Sequence, residues 1–156
     1  MIFQRSIKNE VSAVGVGLHS GKKTRITLKP AKEDSGIIFK RTDLDLPIEI
    51  QVEPKAIKET RLSSTIGKGK TKISTIEHLM SALSASGIDN ILIEVDGSEI
   101  PIMDGSSIPF VYLINSAVIY EQLKPKRFAV IKEEIKVQEE DKYAKFEPYN
   151  GFLFLL

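Results

Sequence analysis

The period of the apolar residues changes near residue 75, and that change limits the chain to folds that set a sheet against helices. Upstream, "TRITLKPA" alternates through Ile26 and Leu28, and "IEIQVEP" alternates through Ile48, Ile50 and Val52, the period of two of half-buried strands. "IIFKR" is a further short strand, and "STIGKGKTKIST" reads as two strand ends joined by a Gly-Lys-Gly turn. Downstream, Ile76, Leu79, Met80 and Leu83 recur at helical spacing, which predicts a helix over residues 75–86 stopped at Gly87. "NILIEV" follows as a continuous apolar strand ending in an Asp96-Gly97 turn. "SSIPFVYLINSAVI" then predicts a second helix with a serine cap, Pro109 in its first turn, and Phe110, Leu113, Ile114 and Ala117 on one face. The fold class implied is α+β: a two-layer sandwich of a mixed or antiparallel β-sheet with two α-helices, occupying residues 1–122.

"EQLKPKR" is polar and carries Pro125, so residues 123–127 read as a linker. Residues 128–156 read as the first strands of an incomplete second β-rich domain, Val130 to Val137 and Tyr143 to Phe146 around a charged "QEEDK" turn. The closing run "GFLFLL" has no later strand to pair with, the signature of a domain cut off soon after it begins. Such exposed C-terminal strands are expected to let copies of the chain self-associate.

Charge and cysteine content narrow the chemistry. Lys and Arg number 22 against 21 Asp and Glu, a formal net charge of +1, so no global field draws the chain toward nucleic acid. With no cysteine there is no disulfide framework, thiolate metal site or cysteine nucleophile, and a metal would need His, Asp or Glu. No apolar run is long enough for a transmembrane segment and "MIFQRSIKNEV" is no export signal, so the expected location is cytoplasmic.

The glycine-rich "GVGLHSGKK" fails as a phosphate loop. Five residues rather than four separate Gly15 from Gly21, Lys23 stands where a magnesium-binding Ser or Thr is needed, and a strand follows instead of a helix. His19 in this turn and Asp104 in "MDGSS" are both read as loop-stabilising residues, Asp104 by accepting backbone N–H groups ahead of the second helix. Ser74 and Glu77 have the spacing of a capping box, with the glutamate reaching back to the cap's own N–H. His78 falls about 200° from Ile76 at 100° per residue, off the apolar face, where a solvated surface histidine is the ordinary occupant. The same placement also suits chemistry: Glu77 and His78 diverge by about 100°, too far to ligate one ion readily through both side chains, but able to set an imidazole ligand and a carboxylate on either side of a metal-bound water.

"GVGLHSG", "TIEHLMSAL", "GIDNILIEV", "SEIPIMDGSS" followed by "PFV", and "EPYNG" occur here in that order. In this the chain resembles the bacterial UDP-3-O-acyl-N-acetylglucosamine deacetylases, zinc enzymes of lipid A biosynthesis, over nearly its whole length. The resemblance implies two similar α+β domains with the active site in the cleft between them. It implies that His78 is one of three zinc ligands and that Glu77 is the general base for the hydrolytic water. Thr60, Leu62 and Ser63 match the segment that borders the substrate, and Leu18 matches a rim position near the acyl-chain passage. It further implies UDP-3-O-acyl-N-acetylglucosamine as substrate and a monomeric complete enzyme. The family's other two ligands, a His and an Asp four residues later, and its acid histidine belong to the second domain; the only histidines here are His19 and His78. The sequence therefore reads as the N-terminal part of such an enzyme, inactive alone. The competing reading is a stand-alone binding module of the same fold without chemistry.

Overall fold

The run "NILIEV" is apolar because it lies in the middle of a sheet, a placement that becomes clear once the strands are set in order. The computed structural model describes residues 1–154. In chain order the elements are β1 (Phe3–Ile7), β2 (Val11–Val16), β3 (Lys23–Pro30), β4 (Ile37–Arg41), β5 (Ile48–Gln51), a short 3-10 turn (Pro54–Ala56), β6 (Ile57–Glu59), β7 (Thr65–Lys68) and β8 (Thr71–Ile73). They continue with α1 (Glu77–Ala85), β9 (Ile91–Val95), α2 (Ile108–Ser116), β10 (Ile119–Pro125), β11 (Ile135–Glu139) and β12 (Lys142–Phe146). Five strands form the main sheet in the order β2-β3-β9-β4-β5. It is mixed: β9 runs antiparallel to β3 and parallel to β4, so α1 lies on the long crossover that returns the chain beside β4.

One face of this sheet is the core. Ile26, Leu28, Phe39, Ile50, Ile91, Ile93 and Val95 are buried there against Leu79, Ala82 and Leu83 of α1 and Phe110 and Ile114 of α2. Full burial of each large side chain stabilises the fold by about 1.5–3 kcal/mol. The α+β class with two helices is thus as the periodicity implies. On the other face of β9, Glu94 sits between Lys29 (2.8 Å) and Lys40 (3.8 Å), a row of charges across three neighbouring strands. The strand therefore alternates after all, its second face half-buried rather than sealed.

The strands outside the main sheet depend on partners far away in sequence. β6, β7 and β8 form a small antiparallel sheet, fastened to β4 where the buried Arg41 donates to the Lys72 carbonyl and holds Asp43 through two nitrogens. β1 pairs with β10 as an antiparallel ribbon. A buried amide cluster locks this ribbon to the sheet. Asn90 donates to the Gln4 and Gln122 side-chain oxygens, both at 2.7 Å, and accepts the Gly36 N–H at 2.8 Å.

Two expectations change here. The second helix ends at Ser116, and Val118 in a left-handed conformation turns the chain into β10. Residues 123–125, expected as linker, are the end of that strand, and Lys126 N–H still donates to the Ile2 carbonyl. The first compact unit accordingly runs Met1–Lys126 and the second starts at Arg127. In the second unit β11 and β12 form a hairpin with Ile135 opposite Phe146 and Lys136 lying 4.8 Å from the Tyr143 ring centre. Its first strand starts at Ile135 rather than Val130. The last two residues of "GFLFLL" lie outside the described residues.

Two measurements check this arrangement. Limited proteolysis with a broad-specificity protease should cut first between residues 127 and 134 and leave 1–126 intact; early cuts within 119–125 would contradict β10. Asn90→Ala strands three hydrogen-bond partners, two of them buried, and should lower unfolding free energy by roughly 2–4 kcal/mol in urea titration.

Candidate active site

The first turn of α1 is aimed by what precedes it. Ser74 is clamped between neighbouring backbone groups: its N–H donates to the Ser98 carbonyl and its carbonyl accepts Ile100 N–H, both at 3.0 Å. Thr75, buried, then takes a left-handed conformation with φ 57°, uncommon for a β-branched residue. Ile76 is helical, and Glu77 opens the helix. The sharp turn at Thr75 brings Glu77 and His78 out together as half-buried side chains, while Leu79 goes into the core.

The capping box does not form. Ser74 Oγ donates to the Ser98 carbonyl at 3.3 Å, and no side chain caps the helix. Glu77 instead accepts the Ser64 N–H at 3.0 Å through Oε2, and Ile76 N–H donates to the Ser64 carbonyl at 3.3 Å. The left-handed φ at Thr75 turns Ser74 away from the helix start, and the loop carrying Ser64 takes its place. Glu77 Oε1 makes no hydrogen bond among the described residues.

This contact places the 60–64 loop beside the Glu77–His78 pair. Thr60 is exposed and Ser63 half-buried. Leu62 is 86% exposed and left-handed, with φ 64°. An exposed leucine held in that conformation has neither burial nor backbone preference to recommend it. At the loop's base Glu59 accepts the N–H groups of Arg61 and Thr60, which hold its carboxyl below the usual range. Behind the loop a mostly apolar pocket of about 380 Å³ is lined by Pro54, Ile57, Thr60, Ser64, Ile76 and Met80.

The "GVGLHSG" turn closes on a residue that sequence reasoning missed. Glu99 is buried, and its carboxylate accepts His19 N–H at 2.9 Å, Ser20 N–H at 2.8 Å and Thr75 Oγ at 3.0 Å. The loop-stabilising bond expected of His19 is therefore made by its backbone, and the side chains of Leu18 and His19 are exposed. Gly17 is needed because a Cβ there would collide with the Glu99 carboxylate and Ser20 Oγ. Asp104 does what its turn motif implies, accepting Ser106 N–H at 2.9 Å and its hydroxyl at 2.8 Å. These bonds hold its carboxyl below the usual range. Among the described residues no group of three or more His, Asp or Glu gathers where it could hold a metal ion.

An α+β sandwich that presents a carboxylate and an imidazole side by side from the first turn of a core helix has the equipment for acid–base hydrolysis. The family is narrower than that. Residues 4–155 match the family model described as LpxC, UDP-3-O-acyl N-acetylglycosamine deacetylase, and the chain belongs to this family. It is 51% identical over 152 residues to the UDP-3-O-acyl-N-acetylglucosamine deacetylase of Thioalkalivibrio sulfidiphilus (strain HL-EbGR7), covering 97% of this chain and 50% of that protein. Identity to the protein of the same name from Hahella chejuensis (strain KCTC 2396) is 54%, with the same coverage. To that from Chromobacterium violaceum it is 47%, covering 100% of this chain and 52% of the relative. The chain thus spans about half the length of the curated relatives it matches.

The Glu99 contacts make a pH prediction. Burial pushes its carboxyl up, and the hydrogen bonds from His19, Ser20 and Thr75 outweigh that and bring it below the ordinary 4.5. A carboxyl lowered on folding contributes stability in full above its unfolded value and loses it as pH falls through the folded one. The stability difference between the parent chain and Glu99→Gln should therefore be constant above about pH 5 and shrink steadily as the pH is lowered past 4.5. Thermal melts of the two chains across that range measure it.

Proposed function

We propose that this chain supplies the general base and one metal ligand of a zinc-dependent deacetylase acting on UDP-3-O-acyl-N-acetylglucosamine in the cytoplasm, as a step of lipid A biosynthesis. The carrying observation is the Glu77–His78 pair at the start of α1, inside a stretch that matches the deacetylase family. The reaction hydrolyses the acetamide to acetate and a free amine.

Glu77 has the free lone pairs this needs. With Oε2 engaged by Ser64, Oε1 is left to take a proton from the attacking water, and the Ser64 N–H fixes the carboxylate's orientation. Water oxygen adds to the carbonyl carbon, the C–N bond breaks, and the proton removed by Glu77 is available to the leaving amine nitrogen. His78 supports the role of zinc ligand by its type and its half-buried position. When bound, zinc polarises the carbonyl and stabilises the charge that develops on its oxygen. Thr60, Leu62, Ser63 and Leu18 serve as substrate contacts, Leu62 as an exposed apolar surface on its loop.

The donor set fits zinc in kind and falls short in number. Catalytic zinc takes three protein ligands and a water, whereas among the described residues no group of three or more His, Asp or Glu gathers where it could hold a metal ion. The complete site accordingly draws ligands from residues beyond these, and the chain by itself is inactive.

Two outcomes follow. Dialysed chain should retain no stoichiometric zinc and show no deacetylation, while adding the second half of a relative should restore both, with His78→Ala abolishing the zinc. Tight zinc without the second half would defeat the shared site, and no activity with it would favour a non-catalytic module. In the restored enzyme Glu77→Ala should cost roughly 1 kcal/mol of stability, the worth of one hydrogen bond. Its kcat should fall by roughly 10² to 10⁴-fold, as for a lost general base.

A further inference from the structure

We propose that Glu99 is a positioning residue for the Glu77–His78 pair, acting through Thr75, and that the same carboxylate couples the pair to the Leu18–His19 turn. The proposal rests on the function above for its catalytic meaning, though not for its test. Glu99 is 2% exposed, and no ion pair joins it to a cation among the described residues. Burying a lone carboxylate costs stability, and leucine or glutamine would fill the volume more cheaply. What the charge secures is a set of donors from two separate segments.

One set belongs to the turn. His19 N–H and Ser20 N–H each donate to a different carboxylate oxygen, Gly21 N–H closes the turn on the Gly17 carbonyl at 3.0 Å, and Gly17 leaves no room for a side chain. The other donor is Thr75 Oγ, from a left-handed residue two positions before the first residue of α1. Thr75 lies two residues before Glu77. Its φ sets the direction in which the first helical turn departs from β8, and hence where Glu77 meets Ser64. A threonine relaxes out of that conformation unless something holds it, and the hydrogen bond to Glu99 is what holds it. Ser74, fixed by Ser98 and Ile100, supplies the rigid side of the hinge. Among the described residues no hydrogen bond or ion pair joins Glu99 to Glu77 or His78.

Amide hydrogen exchange followed by NMR on this chain tests the coupling. Glu99→Gln keeps the shape and removes the charge. It should speed exchange by about tenfold or more at His19 and Ser20, and also at Ser64, Ile76 and Met80, whose N–H groups report the start of α1. The amide of Ile93 in β9 should be unchanged. Adding Thr75→Gly should then restore protection at Ser64, Ile76 and Met80 but not at His19 and Ser20, because glycine holds a positive φ without help. If Glu99→Gln does not fold, Gly17→Ala displaces the carboxylate from the turn side and should loosen the same distant amides. Uniform loss that includes β9, no loss at α1, or failure of Thr75→Gly to rescue would each overturn the proposal. Since no catalysis is measured, an inactive enzyme with coupled amides would count against the proposed function and not against the coupling.

Discussion

A buried carboxylate that no ion pair joins to a cation among the described residues is expensive to keep, and the region around α1 is built on one. Three hydrogen-bond donors, the His19 and Ser20 N–H groups and Thr75 Oγ, converge on Glu99 and hold its carboxyl below the ordinary value. Remove that convergence and three things lose their common anchor: the glycine turn, the left-handed Thr75, and the strand segment 98–100 that clamps Ser74. The Glu77–His78 pair begins two residues after Thr75, so the direction of its helical turn is inherited from this anchor, while the Ser64 N–H orients the Glu77 carboxylate. A short helix of nine residues has little intrinsic stability to fix its own first turn.

What the sequence discloses follows how local the responsible physics is. The buried face of α1 was legible because Leu79 and Leu83 repeat at helical spacing, and the strands β3 and β5 because their alternation reflects one buried face. The mixed sheet could be named only as a class, since the parallel pairing of β4 with β9 is a contact across some fifty residues. β10 was missed for the same reason. Leu123 is exposed and Gln122 buried, the reverse of what hydrophobicity implies, because Gln122 completes the Asn90 amide cluster and Leu123 faces outward. A strand whose buried side is polar reads as a linker.

The candidate site was legible in part. Glu77 and His78 stood out as a dipeptide at a helix start, yet the capping-box spacing proposed the wrong partner for Glu77. Ser64 N–H is a backbone group thirteen residues away, and backbone donors leave no trace in side-chain patterns. Glu99 is similarly silent: its role comes from Gly17, His19 and Ser20, nearly eighty residues earlier, brought beside it by the packing of β2 and the segment after β9. Asp104 was assigned its turn role correctly, because an Asx turn is made within three residues of sequence.

The β1–β10 ribbon has a consequence for how the protein comes into being. Phe3 finds its partner at Pro125, the opposite end of the same unit. A chain synthesised from its N-terminus therefore emerges with β1 already made and nothing to pair it with. Gln4 and Asn90 also wait for Gln122 to close their buried amide cluster. The main sheet and both helices can assemble earlier, but the seam that joins the two ends closes last, when residue 125 has left the ribosome. Until then the growing chain carries an unpaired strand edge, open to whatever chaperone or neighbouring nascent chain reaches it first.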